Sequence, residues 1–391
     1  MNFNKLGNTN LNVSMICLGT MTWGEQNNEQ EAFKLMDYAT DQGVNFFDTA
    51  EQYAAPSTKE SYGKTEIIIG NWFKKRNNRD KVILATKISG PGMPWIRGGG
   101  LQYTKKNITI ALENSLKRLK TDYIDLYQLH WPERNTNYSK KLVYNFNEKE
   151  RTWNNIESIL LVLKKFIEQG KIRFIGISNE TSWGLLKFLE LSKLHGLPRI
   201  ASIQNPYNLL NRIYESDLAE ISVREQLGLL AYSPLAFGVL TGKYRNYQKP
   251  KGSRLQLFGD YFVSYSGKLS SLATEKYFKI AKKYNISLTQ LSLAFVNKQP
   301  FVTSSIVGAT TINQLRENID SINVDLNSEI IEEINLVYKN NPNPTSYRET
   351  RKLFYRVPSY LLTAIKLILK GKWNHLGSKL YKIIINFKNT S

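Results

Sequence analysis

The strongest constraint on the fold is an alternation of short apolar runs with amphipathic stretches, repeated eight times between residues 15 and 322. Short apolar runs are typical of buried strands, and apolar residues at a 3.6-residue period are typical of helices. The predicted strands cover 15–20, 44–48, 81–87, 123–130, 172–178, 201–205, 228–233 and 304–309. The predicted helices cover 29–43, 61–76, 104–120, 154–170, 181–196, 214–226, 272–284, 287–299 and 311–322. This alternation indicates an α/β protein with a parallel sheet.

The number of units distinguishes a closed barrel from an open sheet. Eight strand–helix units without a break in composition favour a (β/α)8 TIM barrel. An open doubly wound sheet would usually have a Gly-x-Gly-x-x-Gly turn after its first strand, whereas the first strand here leads into GTMTWG at 19–24. The segment 3–14 alternates around Gly7 and Asn8, which predicts a β-hairpin that caps the N-terminal end of the barrel.

A Pro-rich break, NPNPT at 341–345, divides the chain into a predicted barrel domain at 1–340 and a basic amphipathic C-terminal extension at 341–391. From residue 346 onward the chain has ten Lys or Arg residues and one acid, Glu349, so this eighth of the length carries +9 of the formal net charge of +20. Basic residues flank apolar ones in the extension. Three roles therefore stay open: a tail that is packed on the barrel or partly disordered, an anchor on anionic membranes, and a docking segment for a partner protein.

Composition narrows the possible compartments and partners. The chain has one cysteine, Cys17, and its first residues contain no apolar core segment typical of a signal peptide. No stretch of eighteen apolar residues predicts a membrane span. No zinc spacing, helix-turn-helix or aromatic–glycine RNA motif accompanies the basic charge, so nucleic acid is not an expected partner. We expect a cytoplasmic protein, with peripheral membrane contact through 346–391 as an open alternative.

Polar residues mark the ends of several apolar runs in the first third of the chain. Asp48 ends one predicted strand and Tyr53 follows it, Lys87 ends the next, and His130 ends the one after. Because the carboxyl ends of barrel strands form the active-site face, we expect these side chains to converge. An acid, a phenol, an amine and an imidazole together suit proton transfer. A metal-dependent hydrolase is disfavoured, because the chain has only three histidines and none has ligand spacing with another.

Motifs along 1–340 carry a resemblance to a known family. They are NFFDTAEQYA at 45–54, ATK at 85–87, SLKRLKTDYIDLYQLHWP at 115–132, GKIRFIGISN at 170–179, AYSPLAFGVLTGKY at 231–244 and GATTINQLRENI at 308–319. In these segments the chain resembles the aldo-keto reductase superfamily, and most closely its bacterial Tas-type reductases and the β-subunits of potassium channels. The resemblance implies reduction of an aldehyde or ketone to an alcohol by hydride transfer from NADPH.

The resemblance gives each of the four polar residues a role. Tyr53 would be the general acid, and Lys87 would lower its pKa by favouring the phenolate. Asp48 would hold Lys87 in place, and His130 would orient the carbonyl oxygen. His130 is the alternative acid, since the usual pKa of an imidazole lies closer to 7.

The resemblance also implies cofactor contacts. The carboxamide would be bound at the ends of two strands, the nicotinamide ring would stack on Tyr232, and the pyrophosphate would lie under the 233–243 loop. The helix that begins near Thr311 would contact the adenosine end. Two cations, Lys243 and Arg254, favour NADP over NAD, because a dianionic 2′-phosphate gains from both. The expected cofactor residues are Thr20, Met21, Ser178, Asn179, Gln204, Tyr232, Ser233, Pro234, Leu235, Gly238, Leu240, Gly242, Lys243, Arg254, Gly308, Thr310, Gln314, Glu317 and Asn318.

The substrate pocket is expected to have an aromatic wall formed by Trp23, Trp95 and Trp131, which suits a small carbonyl compound with an apolar or planar part. Core packing is an equally good interpretation of Trp23 and Trp95. The main rival to an enzyme is a cofactor-sensing binding module with little turnover, because the channel β-subunits share the same motifs.

Overall fold

The computed structural model describes residues 1–99, 102–138, 144–151 and 153–345. The chain opens with an antiparallel hairpin of β1 (Phe3–Lys5) and β2 (Asn12–Ser14). Beyond the hairpin, all strands are parallel and pair in the order β10-β3-β4-β5-β6-β7-β8-β9, with β9 closing onto β10. These strands are β3 (Ile16–Gly19), β4 (Phe46–Asp48), β5 (Ile83–Ile88), β6 (Ile124–Leu129), β7 (Ile172–Ser178), β8 (Ile200–Pro206), β9 (Gly228–Tyr232) and β10 (Val302–Val307). The prediction of a (β/α)8 barrel with an N-terminal hairpin is confirmed.

Amphipathic helices flank the barrel, and their apolar faces form one large core with the outward side chains of the strands. They are α1 (Glu29–Asp41), α2 (Lys64–Arg76), α3 (Lys105–Leu119), α4 (Ile156–Glu168), α5 (Ser182–His195), α6 (Leu218–Arg224), α7 (Arg254–Phe258), α8 (Lys268–Lys283), α9 (Leu288–Asn297), α10 (Ile312–Asp320) and α11 (Ser328–Asn340). Among the described residues, no helix combines the length and the apolar character needed to cross a membrane.

Three helical regions differ from the sequence-based prediction, and one of them is the short α7, which was not predicted. The single helix expected over 214–226 is split, because Asp217 interrupts the helical backbone and its side chain accepts a hydrogen bond from the Leu218 backbone N–H at 2.7 Å. Helix α11 was not predicted, yet Asn327 caps its start and Ile330, Ile334 and Val337 are buried at helical spacing.

The hairpin closes the N-terminal end of the barrel. Its Leu6 and Leu11 are at most 5% exposed and join an apolar cluster inside the barrel with Phe46, Leu126 and Leu230. Gly7 permits this contact, since a Cβ atom there would lie 2.3 Å from the carbonyl oxygen of Ala201. The opposite end of the barrel, where the strands finish, stays open to a cleft.

Residues 346–391 lie outside the described residues. The predicted roles of this extension, including contact with anionic membranes or a partner protein, therefore stay predictions.

Candidate active site

The four polar residues of the first third come together at the carboxyl ends of adjacent strands. Asp48 is the last residue of β4, Lys87 lies one residue before the end of β5, and His130 directly follows β6. Tyr53 follows β4 after a short turn in which its backbone N–H donates to the carbonyl of Ala50 at 3.0 Å. Parallel pairing keeps these strand ends in register, with Asp48 opposite Ala85 and Lys87 opposite Gln128.

Lys87 and Asp48 form a buried ion pair. The Lys87 Nζ lies 2.7 Å from Asp48 Oδ2, and their side chains are 0% and 4% exposed. The same ammonium donates to the carbonyl of Thr49 at 2.8 Å. The other carboxylate oxygen of Asp48 accepts from Gln204 Nε2 at 2.8 Å and from Gln128 Nε2 at 3.2 Å. A buried charge is tolerated only when it is paired and hydrogen-bonded in this way, so the pair fixes a cation at one position.

Tyr53 and His130 lie next to that cation. The Tyr53 ring centroid is 5.1 Å from Lys87 Nζ and 5.8 Å from the His130 ring centroid, with the two rings nearly perpendicular. Tyr53 is 8% exposed and His130 is 7% exposed. The phenol, ammonium, carboxylate and imidazole therefore form one compact group.

The pKa of Tyr53 differs from the expectation. From the sequence, Lys87 is expected to lower this pKa, but in the structure burial raises it well above its usual range, and the negative charge of Asp48 raises it further. The physical reason is that Asp48 offsets the charge of Lys87 while the phenol itself has lost water. Tyr53 is thus held in its protonated form.

The pKa of the His130 imidazole shifts in the opposite direction. Burial lowers it well below its usual range, and the charge of Lys87 lowers it further. His130 is therefore neutral at pH 7. Its Nδ1 is buried and has no hydrogen-bond partner in the described part of the chain.

A cleft of about 990 Å³ opens over this group. Asp48, Tyr53 and His130 line it, whereas Lys87 lies beneath its floor. Most of the expected cofactor residues also line it: Thr20, Met21, Ser178, Asn179, Gln204, Tyr232, Ser233, Pro234, Leu235, Gly238, Lys243, Arg254, Gly308, Thr310, Gln314, Glu317 and Asn318. The structure thus gathers segments from most of the chain length around one cavity.

Besides Lys87, four predicted residues do not line this cleft. Leu240 is fully buried in the core, and Gly242 ends a short 3₁₀ segment in a left-handed conformation, with φ of 80°. Trp23 is 1% exposed and packs in the core. The indole N–H of Trp95 donates to Ser57 Oγ at 3.3 Å. Of the three tryptophans assigned to the substrate pocket, the structure places only Trp131 on the cleft.

A hydrogen-bonded network holds the side chains expected to bind the carboxamide. Asn179 donates from Nδ2 to the carbonyl of His130 at 2.9 Å and accepts from the Tyr232 hydroxyl at 2.8 Å. Ser178 Oγ donates to the carbonyl of Gln204 at 2.7 Å. These contacts fix the end of β7 relative to the imidazole and to β8.

At the far end of the cleft, the helix start and the cations have the properties of an anion site. Thr311 caps α10 by accepting from the Gln314 backbone N–H at 3.3 Å. Lys243 and Arg254 line the same region, and neither forms an ion pair with a carboxylate in the described part of the chain. Burial lowers the pKa of both cations, and Arg254 lowers that of Lys243 further. Two neighbouring unpaired cations favour an anionic ligand with several charges.

The cleft also has lining residues that were not predicted from the sequence. Most belong to the connections after β5, β6 and β9, which are long and lie at the carboxyl ends of their strands. The unpredicted lining residues include Gln26, Gln52, Pro91, Gly92, Met93, Tyr138, Phe237, Tyr261 and Phe262. The length of the connections was therefore the available signal.

Enzymes with a closed parallel barrel have their active sites at the carboxyl ends of the strands. The buried Lys87–Asp48 pair, Tyr53 and His130 lie at that end, so fold and site together are those of a barrel enzyme. The family model for the aldo/keto reductase family matches residues 15–339. The chain is 46% identical over 341 residues to the protein tas of Escherichia coli K12, covering 87% of this chain and 98% of that protein. It is 33% identical over 345 residues to an uncharacterized oxidoreductase, YrpG, of Bacillus subtilis, covering 86% and 96%.

A third relative has a substrate in its name. The norsolorinic acid reductase B of Dothistroma septosporum is 29% identical over 353 residues, covering 86% of this chain and 82% of that protein. This chain belongs to the aldo/keto reductase family. Membership identifies it as an oxidoreductase of the carbonyl-reducing type, in a family that generally uses NADH or NADPH.

Proposed function

We propose that this protein reduces an aldehyde or ketone to an alcohol by hydride transfer from NADPH, with Tyr53 as the general acid. The observation that carries the proposal is the buried phenol of Tyr53, held protonated beside the Lys87–Asp48 pair and a neutral imidazole at the cleft. The residues fit a nicotinamide dinucleotide, because the cleft leads from this group to Lys243 and Arg254, two cations without an ion pair among the described residues.

The direction of the pKa shifts distinguishes the two candidate acids. When bound, the nicotinamide supplies a hydride to the carbonyl carbon, and the carbonyl oxygen then needs a proton. Tyr53 carries one, since its pKa is raised. His130 is neutral, because its pKa is lowered, so it can donate a hydrogen bond to the oxygen and orient it but has no second proton to give.

Lys87 acts after the proton has left Tyr53. The phenolate that forms is buried, and an unpaired buried anion is strongly disfavoured. The ammonium 5.1 Å from the ring centroid offsets that charge. Asp48 and the carbonyl of Thr49 keep the ammonium in place. Within the pair, the ammonium stabilises the phenolate and so lowers the barrier, whereas Asp48 serves to hold that ammonium in place.

The preference for NADPH rests on Arg254 and Lys243. We expect NADPH to bind more tightly than NADH in fluorescence titrations, and Arg254→Gln to weaken NADPH about ten- to a hundredfold while leaving NADH nearly unchanged. Arg245→Gln is the matched control, because Arg245 lies in the same connection but pairs with Glu275 and does not line the cleft. Equal affinity of the wild type for NADH and NADPH would contradict the preference.

Turnover is tested with a panel of aldehydes and ketones by following NADPH oxidation. Steady oxidation of NADPH that requires both the carbonyl compound and the intact Tyr53 supports the proposed reductase activity. Tight NADPH binding with no turnover of any compound in the panel would contradict it and favour a cofactor-sensing module.

A further inference from the structure

Glu51 lies inside residues 48–53, the stretch from Asp48 to Tyr53 that we call the catalytic segment. It lies between Asp48 and Tyr53 and is 3% exposed, yet it does not line the cleft. Its backbone N–H donates to the carbonyl of Lys87 at 3.0 Å. Its carboxylate instead reaches the connection after β5, where Oε2 accepts from the Ser89 backbone N–H at 2.9 Å.

Arg97 completes this contact from the other end of the same connection. Its guanidinium forms an ion pair with Glu51 Oε1, and its Nη2 donates to the carbonyl of Ser89 at 3.3 Å. The side chain of Arg97 is 8% exposed, and its backbone has a φ of 48°, a region that non-glycine residues rarely adopt. The buried ion pair therefore ties both ends of segment 89–97 to the catalytic segment and holds Arg97 in an unfavourable conformation.

The tied segment forms one wall of the cleft beside His130. Pro91, Gly92 and Met93 line the cleft, and the Pro91 carbonyl accepts a hydrogen bond from Trp131 Nε1 at 3.0 Å. The fit is close, because a Cβ atom on Gly90 would lie 2.5 Å from that indole nitrogen. The Trp131 ring centroid lies 4.9 Å from the His130 ring centroid. We call Pro91, Gly92, Met93 and Trp131 the substrate wall.

We propose that the Glu51–Arg97 ion pair is a positioning element that fixes the substrate wall and thereby selects carbonyl compounds with a large planar part. Such a compound contacts the wall along its length, whereas a short aliphatic aldehyde reaches the catalytic group without it. This inference rests on the proposed reductase function and adds a determinant of specificity to it. The rival is a pair that only stabilises the fold.

Kinetic specificity distinguishes the two roles. For Glu51→Gln and Arg97→Gln, we expect the ratio of kcat/KM for 2-naphthaldehyde to that for propanal to fall about tenfold, mainly through KM. NADPH affinity should stay within about twofold, because neither Glu51 nor Arg97 lines the cleft. Arg97→Lys keeps the charge and should restore part of the ratio.

The matched control is Arg79→Gln. Arg79 forms a buried ion pair with Asp125, with side chains 14% and 2% exposed, and neither residue lines the cleft. Its removal should lower the thermal midpoint but leave the specificity ratio unchanged. If Glu51→Gln and Arg97→Gln behave like this control, the positioning role is overturned.

A second readout does not depend on turnover. Trypsin cleaves after arginine, and Arg97 is protected while its side chain is buried in the ion pair. We expect Glu51→Gln to speed cleavage between Arg97 and Gly98 about tenfold, and Arg79→Gln to leave it unchanged, as followed by mass spectrometry. If the wild type reduces no aldehyde, the proposed function fails, and this assay still decides whether the pair holds the wall. Unchanged cleavage in Glu51→Gln would overturn the positioning role.

Discussion

Four strands, β4, β5, β6 and β9, supply the inside of the barrel with two sets of side chains of different polarity, which we call the apolar layer and the polar layer. Side chains two residues apart on a strand point to the same face. The layer near the hairpin is apolar and comprises Phe46, Ala85, Leu126 and Leu230. The layer two residues further along each strand is polar and comprises Asp48, Lys87, Gln128 and Tyr232.

The difference shows how one barrel separates stability from chemistry. The apolar layer needs only tight packing against Leu6 and Leu11 of the hairpin. The polar layer removes a lysine and a carboxylate from water, which is unfavourable unless each finds partners. Asp48 finds them in Gln128 of the same layer and in Gln204 on β8, which both donate to it. The second layer is therefore the one where a single substitution should affect both folding and catalysis.

Among substitutions in the two layers, Lys87→Met is expected to have the largest effect on stability and on the reduction rate. It leaves Asp48 buried without a cation, which should lower the free energy of unfolding by about 3–5 kcal/mol. The fraction of this variant that folds should reduce carbonyl compounds at least about a hundredfold more slowly than the wild type, because the Tyr53 phenolate loses its neighbouring cation. Urea denaturation and steady-state kinetics measure the two effects.

The double variant Lys87→Met/Asp48→Asn sharpens the test. Removing both charges should restore much of the lost stability, because no unpaired carboxylate is left, while the reduction rate stays low. A double variant that recovers its rate would show that the buried pair has no catalytic role.

Leu126→Ala probes the apolar layer on a strand that also supplies Gln128. Leu126 is fully buried, and its truncation should lower the free energy of unfolding by about 2–5 kcal/mol. Because the substitution lies outside the polar layer, kcat/KM of the folded protein should change by less than about twofold. A loss of activity comparable to that in Lys87→Met would show that the two layers are not independent.

The smallest expected effect is that of pH. Tyr53 must be protonated to donate, and its raised pKa keeps it so above its usual value. His130 stays neutral, because its pKa is lowered below its usual value near 6.5. The kcat/KM for reduction should therefore be flat between about pH 7 and 9. A profile that falls with a midpoint near neutrality as pH rises would instead identify His130 as the acid.

The barrel could be predicted from local sequence patterns, because each buried strand has a short apolar run and each helix has apolar residues at a 3.6-residue period. Apolar runs that end in a polar residue located the strands of Asp48 and Lys87. The same pattern located the loop that starts at His130. Helix α11 shows the same kind of signal, an Asn cap followed by buried isoleucines, but was not assigned.

Contacts between segments that are distant in the sequence could not be predicted from such local patterns. Trp23 packs in the core, and its carbonyl accepts a hydrogen bond from Thr65 Oγ1, 42 residues away along the chain. In the 233–243 loop, left-handed conformations at Phe237 and Gly238 decide which side chains face the cleft. The pKa of Tyr53 depended on burial, which the sequence does not specify residue by residue.

The proton donor is the central claim, and a single-turnover experiment with Tyr53→Phe tests it most directly. The variant is saturated with NADPH, mixed with a carbonyl compound that the wild type reduces, and followed by NADPH absorbance. The account predicts unchanged NADPH affinity and a rate about 10²- to 10⁴-fold lower, because only the proton donor is lost. A rate close to that of the wild type would contradict it.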